Sequence, residues 1–156
     1  MPKCTFLIGV PGSGKSTWLN MSSLWNSESI IVSTDNIIED IASEYNITYN
    51  DAFPDLIKFA EKAMWNSLED AVQYGDSVVI DRTNLTAGSR KRFIKFLQGY
   101  EFEAVVFPTP DPVEWERRLN SRPGKTIPEN VLKSMVRNFE APTEQEGFSS
   151  ITYINP

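Results

Sequence analysis

The stretch that decides the fold is Gly9-Val10-Pro11-Gly12-Ser13-Gly14-Lys15-Ser16-Thr17. It matches the pattern G-x-x-x-x-G-K-[ST] in full. An apolar, strand-like run precedes it at residues 3–9, and a segment of helical character follows it from Lys15 to about Trp25. A glycine-rich loop between a strand and a helix is the setting in which this pattern binds phosphate. The sequence therefore predicts a P-loop for the phosphates of a nucleotide.

The residue types of this loop explain its predicted chemistry. The glycines allow turns closed to other residues, so that successive backbone N–H groups point toward the phosphates. In such loops the lysine, here Lys15, reaches the β- and γ-phosphates, and the hydroxyl of Ser16 ligates magnesium. ATP and Mg²⁺ are the predicted cofactors. We assign nucleotide binding to Gly9, Pro11, Gly12, Ser13, Gly14, Lys15, Ser16 and Thr17.

Strands and helices alternate along the rest of the chain. Apolar runs predict further strands at residues 30–32, 78–80, 102–107 and 151–154. Apolar spacing and terminal signals predict helices at 36–44, 53–74, 84–97, 111–120 and 128–139. This order predicts an α/β, three-layer P-loop NTPase fold, with a parallel sheet flanked by helices. We expect a single P-loop kinase domain over residues 1–156, with a short helical lid at about 117–128.

Composition narrows the function further. With 156 residues and 40% hydrophobic residues, the chain is expected to fold around an ordinary core. Its apolar runs are too short to span a bilayer, so no membrane partner is expected. The single cysteine, Cys4, cannot form an internal disulfide, which fits a cytoplasmic setting. Histidine is absent, so acid–base chemistry falls to carboxylates, lysine or tyrosine.

Charge is unevenly distributed. The net charge is −6, yet eleven of the fifteen basic residues lie between Arg82 and Arg137. Residues 35–76 carry ten carboxylates and only Lys58 and Lys62. A local basic groove for a polyanion is therefore compatible with the acidic total. The alternative is a solvated helix face, which would carry Arg90, Lys91, Arg92 and Lys95.

Two aspartates follow predicted strands. Asp35 comes just after the second strand, where a carboxylate could accept the proton of an attacking hydroxyl. It could equally cap the helix that begins there. Asp81 ends the third strand in the Walker B pattern, which favours a magnesium role over a turn residue. Thr83 and Asn84 follow it, and could contact an acceptor or cap the next helix.

Basic and aromatic residues supply the remaining candidates. Arg122 lies in the predicted lid and could neutralise charge on transferring phosphates, and Arg118 lies one helical turn before it. A cation at the end of a helix can also simply complement the helix dipole, which would account for Arg118. Large aromatic residues on the predicted helices indicate core packing more than base stacking: Trp18, Phe59, Trp65 and Trp115.

Taken together, these motifs resemble the 5′-kinase domain of polynucleotide kinases, both the bacteriophage type and the animal polynucleotide kinase/phosphatases. The similarity lies in the glycine loop, Asp35, the Asp81-Arg82-Thr83-Asn84 segment and the lid that ends at Pro128. The tail Pro142-Thr143-Glu144-Gln145-Glu146-Gly147-Phe148 adds to it. The likeness is colinear over nearly the whole chain.

The resemblance implies a role for each site residue. Asp35 would be the general base on a 5′-hydroxyl, and Lys15 and Arg122 would hold the phosphates during transfer. Ser16 would bind magnesium, and Arg118 would lie near the nucleotide. Thr83 and Asn84 would shape the acceptor side. The implied partners are ATP and the 5′-hydroxyl ends of DNA or RNA.

This sequence departs from the family in two places. Thr34 stands where the residue before the base is often arginine, and Ile38 stands where bacteriophage-type enzymes carry an arginine for the acceptor's phosphate. Two other functions therefore stay open. One is a small-molecule kinase that acts on a sugar, nucleoside or antibiotic hydroxyl. The other is a nucleotide-binding regulatory protein without transfer activity.

Overall fold

The computed structural model describes residues 1–24 and 28–155. Its strands form one sheet in the order β2-β3-β1-β4-β5, and every neighbouring pair is parallel. The bounds are β1 Lys3–Ile8, β2 Ile30–Val32, β3 Val78–Asp81, β4 Glu101–Val106 and β5 Phe148–Tyr153. This confirms the predicted parallel α/β sheet.

Within the described part of the chain, six helices connect and cover these strands. Their bounds are α1 Lys15–Met21, α2 Thr34–Glu44, α3 Tyr49–Tyr74, α4 Ala87–Phe96, α5 Pro112–Asn120 and α6 Glu129–Asn138. A short 3₁₀ turn, Glu144–Glu146, precedes β5. The first helix ends at Met21, earlier than predicted, and the predicted end at Trp25 lies outside the described residues.

Strand β1 is buried on both faces, as a central strand of a parallel sheet must be. Phe6 points into the larger core cluster, where it meets Met64 of α3 and Phe93 of α4. Leu7 points to the opposite face and packs with Leu19 of α1. Helices therefore cover both faces of the sheet, and the three-layer prediction is confirmed.

The order of the strands places a crevice at one edge of the sheet. From β1 the chain passes to β2 on one side, whereas from β3 it crosses β1 to reach β4 on the other side. Ligands of open parallel sheets bind at such a switch point, beyond the carboxyl ends of the strands. The loop after β1 and the residue that ends β3, Asp81, meet at this edge.

Two predicted helix starts are wrong, and local geometry gives the reason. Helix α3 begins at Tyr49, four residues before the predicted start, because Thr48 Oγ1 accepts a hydrogen bond from the backbone N–H of Asp51. Helix α4 begins at Ala87 with Thr86 as its cap. It cannot begin at Asn84, which has a left-handed backbone with φ of 50°.

Across residues 1–24 and 28–155, no helix combines the length and the apolar character that a membrane crossing requires.

Candidate active site

The loop between β1 and α1 has the backbone that its glycines predict. Gly12 and Gly14 have φ of 76° and 100°, in the left-handed region that favours glycine. Gly14 caps α1 without a side-chain hydrogen bond, so the N–H groups of the first turn stay available for an anion. The ammonium of Lys15 folds back over the loop and donates to the carbonyl oxygens of Gly9 and Val10, at 2.8 and 2.9 Å.

The loop is braced from two sides. The backbone N–H of Gly9 donates to the carbonyl oxygen of Thr83 at 3.0 Å, which ties the loop to the end of β3. On the other side, Trp115 Nε1 donates to the carbonyl oxygen of Pro11 at 2.7 Å. A Cβ added at Gly12 would lie only 3.3 Å from a methyl carbon of Leu119. Helix α5 therefore packs directly on the phosphate loop.

Lys15 and Asp81 are electrostatically coupled at the floor of the cleft. Burial lowers the pKa of Lys15 to about 8, although the nearby carboxylates of Asp81 and Asp35 act to raise it. Burial raises the pKa of Asp81, and the charge of Lys15 partly offsets that rise. The two groups thus face each other in a partly desolvated space, where a charged ligand interacts strongly with both.

Few side chains in the described part of the cleft could bind magnesium. Among the described residues, no group of three or more histidine, cysteine, aspartate or glutamate side chains could hold a metal ion. Ser16 and Asp81 line the same cleft, so a hydroxyl and a carboxylate are available together. Mg²⁺ at phosphate sites uses one or two protein oxygens and completes its shell with phosphate and water. This donor set fits magnesium in company with bound phosphates.

Asp35 lies in the first turn of α2 and is not the cap of that helix. Ser33 is the cap, and its hydroxyl accepts from the N–H of Asn36 at 3.2 Å. The carboxylate of Asp35 is 53% exposed and faces the cleft. The hydroxyl of Tyr49 donates to its Oδ1 at 2.6 Å, and Lys125 Nζ lies 3.4 Å from its Oδ2.

Lys125 comes from the segment between α5 and α6, which we call the lid loop, residues 121–128. Its ammonium contacts Glu39 Oε1 at 2.6 Å and lies 4.5 Å from the centre of the Tyr49 ring. The lid loop also docks on the start of α3, because the N–H of Asn50 donates to the carbonyl oxygen of Gly124 at 2.9 Å. Helical structure ends at Asn120, so most of the predicted helical lid is a loop.

Arg122 carries buried donors that suit an anion. Its Nε and Nη2 atoms are buried and have no hydrogen-bond partner among the described residues. Buried guanidinium donors are costly to leave unpaired. The side chain lines the cleft together with Lys15, so phosphate oxygens are the natural partners for these donors. Arg118 lies nearby and donates from Nη1 to the carbonyl oxygen of Gly12 at 3.2 Å.

The cleft has a volume of about 930 Å³ and brings most of the predicted site residues together. It is lined by Pro11, Gly12, Ser13, Gly14, Lys15, Ser16, Thr17, Asp35, Asp81, Thr83, Arg118 and Arg122. Gly9 lines a smaller apolar cavity next to it. A Cβ on Gly9 would lie 2.6 Å from Ser13 Oγ and 3.0 Å from Phe107 Cβ, so a larger residue there would force its neighbours to shift.

Asn84 is the exception among the predicted site residues. Its side chain is 3% exposed, and its amide nitrogen donates to the carbonyl oxygens of Leu7 and Ile80 at 2.8 and 3.1 Å. It therefore joins the ends of β1 and β3 and is not among the residues that line the cleft, so its contact with an acceptor stays a prediction. The alternative that it caps α4 is wrong, because Thr86 does so.

Comparison with known proteins identifies the family. A family model described as "AAA domain" (AAA_33) matches residues 5–142, which is most of the chain. The chain belongs to this family.

Several individual proteins are similar to this chain over most of its length. The bifunctional polynucleotide phosphatase/kinase of Schizosaccharomyces pombe is 30% identical over 93% of this chain and 31% of its own length. A chain of the Pnkp1/Rnl/Hen1 RNA repair complex aligns with a TM-score of 0.68 and 24% identity, over 88% of this chain and 43% of that one. A sugar kinase from Janibacter aligns with a TM-score of 0.59 and 20% identity, over 98% and 86%. The chain thus spans about a third of the length of the Schizosaccharomyces pombe protein.

The structure also shows contacts at the candidate site of this AAA_33 domain that the sequence does not predict. The sequence predicts Trp115 in the core, yet it is half-buried and holds the P-loop. Tyr49 and its bond to Asp35 are not predicted, because the two residues lie fourteen positions apart on different helices. A tyrosine at the first position of a helix carries no motif that sequence reading could use. Phe59, also expected in the core, is 57% exposed.

Proposed function

We propose that this domain is an ATP-dependent polynucleotide kinase, which transfers the γ-phosphate of ATP to the 5′-hydroxyl end of DNA or RNA. Transfer chemistry is supported by one observation: Arg122, with two donors that have no partner among the described residues, and Asp35, with an exposed carboxylate, line the same cleft. A nucleotide-binding protein without transfer activity needs neither. The polynucleotide acceptor is supported by the 30% identity to a polynucleotide phosphatase/kinase over 93% of the chain.

Each residue has a defined part in this mechanism. Asp35 takes the proton of the acceptor hydroxyl while the oxygen of that hydroxyl forms a bond to the γ-phosphorus. The bond between the γ-phosphorus and the β–γ bridging oxygen breaks, and ADP is released. Lys15 and Arg122 neutralise the charge that spreads over the transferring group. Magnesium, which Ser16 and Asp81 would bind, would supply further charge neutralisation. Most of the catalytic effect comes from positioning and electrostatics.

One observation favours a second candidate, a small-molecule kinase. Ile38 is fully buried, so α2 offers no cation for an acceptor's phosphate. The exposed groups of α2 at the cleft include the carboxylates of Asp35 and Glu39, which repel a polyanion. A sugar or nucleoside hydroxyl would meet no such repulsion.

Transfer of labelled phosphate separates these candidates. The assay supplies γ-labelled ATP and magnesium with 5′-hydroxyl DNA and RNA oligonucleotides, and uses the same strands with 5′-phosphates as controls. Label confined to the 5′-hydroxyl strands is the expected result. Absence of label on every strand, with nucleotide binding intact and ATP consumed with a sugar or nucleoside, would overturn the polynucleotide proposal in favour of the second candidate.

A further inference from the structure

The carboxylate of Asp35 is held differently at its two oxygens. The hydroxyl of Tyr49 donates to Oδ1 at 2.6 Å, a short hydrogen bond. Lys125 Nζ lies 3.4 Å from Oδ2, and the same ammonium is closer to Glu39 Oε1, at 2.6 Å. The contact at Oδ1 is therefore strong and directional, whereas the contact at Oδ2 is long and shared.

The anchoring of Tyr49 makes that strong contact rigid. Tyr49 is the first residue of α3, whose start is fixed by the cap Thr48. Its ring packs against Phe53 one turn later, with ring centres 5.8 Å apart. The ammonium of Lys125 reaches the same ring from the lid loop. The phenol thus has little freedom to leave Asp35.

The raised pKa of Tyr49 keeps its hydroxyl protonated, so that it acts as a hydrogen-bond donor to Asp35. Burial raises the pKa of Tyr49, and the hydrogen bond to Asp35 raises it further. Glu39 also raises the pKa of Tyr49, and Arg122 lowers it; the ammonium of Lys125 is the other charged group that faces the ring. The hydroxyl therefore keeps its proton throughout the physiological range and can only donate to the carboxylate.

We propose that Tyr49 is the positioning residue for Asp35: its hydroxyl fixes Oδ1 and so leaves Oδ2 as the oxygen that accepts the proton of the acceptor. This inference rests on the proposed role of Asp35 as the general base. The acceptor hydroxyl displaces the ammonium of Lys125 from Oδ2, and Lys125 stays paired with Glu39. The carboxylate of Asp35, which belongs to α2, is thus oriented by a residue of α3.

The substitution Tyr49→Phe tests this role, because it removes only the hydroxyl and keeps the ring against Phe53 and Lys125. We expect kcat to fall about tenfold, as for loss of one hydrogen bond to a charged group. KM for ATP and the Kd of the nucleotide stay unchanged, because Tyr49 does not touch the phosphate loop. Tyr45→Phe is the matched control, since Tyr45 is 70% exposed, and it leaves kcat unchanged.

A double-mutant cycle with Asp35→Asn separates positioning from a general structural effect. If Tyr49 acts through Asp35, Tyr49→Phe adds no further loss to the residual rate of Asp35→Asn. An equal tenfold loss in both backgrounds would overturn the inference, and so would a normal kcat in Tyr49→Phe. An active Asp35→Asn enzyme would instead refute the proposed base. Magnesium-dependent ATP hydrolysis, with water as the acceptor, gives the same comparison independently of the polynucleotide assignment.

Discussion

The guanidinium of Arg90 makes a bidentate contact with the carboxylate of Glu146: Nε donates to Oε1 at 2.8 Å, and Nη2 donates to Oε2 at 3.2 Å. The arginine side chain is fully buried, and its Nη1 donates to the carbonyl oxygens of Asn84 and Glu140, at 2.8 and 3.0 Å. Asn84 in turn joins the ends of β1 and β3. The tail of the chain thus supports, through Arg90, the strand ends that carry the site.

Removal of Glu146 should therefore destabilise the fold. Glu146→Ala leaves a buried guanidinium without its counter-ion, and such a loss lowers the free energy of unfolding by about 3 kcal/mol. Urea denaturation at neutral pH measures this difference. Glu144→Ala, at an exposed carboxylate in the same 3₁₀ turn, is the control, and changes stability by less than about 0.5 kcal/mol. Equal losses in the two variants would contradict the role of the buried pair.

The same pair predicts a dependence on pH. Burial raises the pKa of Glu146, but hydrogen bonds from Arg90 and Thr143 outweigh it and leave the pKa below its ordinary value. A carboxyl with a lowered folded pKa stabilises the fold fully above its unfolded pKa of about 4.3, and this stabilisation is lost as the pH falls through the lowered value. The gap in unfolding free energy between wild type and Glu146→Ala should narrow when urea titrations are repeated at about pH 3. A constant gap would contradict the ion pair.

Nucleotide affinity should weaken in mildly alkaline solution. Burial lowers the pKa of Lys15 to about 8, and bound phosphates favour its charged form. Above that pH the free protein must take up a proton on binding, so Kd rises by up to about tenfold per pH unit. Calorimetry in two buffers of different ionisation enthalpy detects the proton directly. Lys15→Arg, if it still binds, lacks this dependence, and a flat wild-type profile from about pH 7 to 9.5 would refute the prediction.

Substitution of Arg122 should lower the rate of transfer without lowering the stability of the fold. Because two of its donors are buried without partners among the described residues, Arg122→Met relieves a cost in the free protein and leaves Tm unchanged or higher. Transfer should nevertheless fall by about 10³, as for loss of a charge-neutralising arginine. Arg117→Met, at a residue 69% exposed in the last turn of α5, serves as the control and retains activity. A large drop in Tm for Arg122→Met would contradict this account.

Docking of the lid loop on α3 can be tested with two glycines. Gly124 and Gly99 both have left-handed backbones, with φ of 71° and 92°. A Cβ on Gly124 would lie 2.7 Å from the Cβ of Thr48, whereas Gly99 has open space. Both alanine variants should lose about 1 kcal/mol from backbone strain. Only Gly124→Ala should also lower kcat, because it moves the loop that carries Arg122 and Lys125. Equal activity in the two variants would show that docking is irrelevant to transfer.

The P-loop and the sheet could be predicted from the sequence because their signals are local. Phosphate binding requires glycines, lysine and serine at fixed spacing, and a buried parallel strand must be apolar throughout, as Val78, Val79 and Ile80 are. The carboxyl ends of such strands meet at one edge of the sheet. The order of the strands along the chain is therefore enough to predict that Asp35 and Asp81 lie near the P-loop.

What the sequence could not predict depends on contacts between distant segments. Arg90 belongs to a basic run that indicates a solvated face or a groove, and Lys91, Arg92 and Lys95 are exposed. Arg90 is fully buried, because its partner Glu146 arrives from 56 residues further along the chain. The role of Asn84 is hidden for the same reason, since its hydrogen bonds reach back to β1.

The lid loop has a consequence for how ATP is conserved. Lys125, whose ammonium lies 3.4 Å from Oδ2 of Asp35, belongs to the lid loop, which also carries Arg122. If Asp35 is the base, a water molecule that enters the cleft meets a carboxylate already engaged by an ammonium group, and is poorly activated. An acceptor that binds well enough to displace that ammonium gains the free oxygen. The lid loop would then limit wasteful hydrolysis of ATP, in addition to the part in transfer that we propose for Arg122.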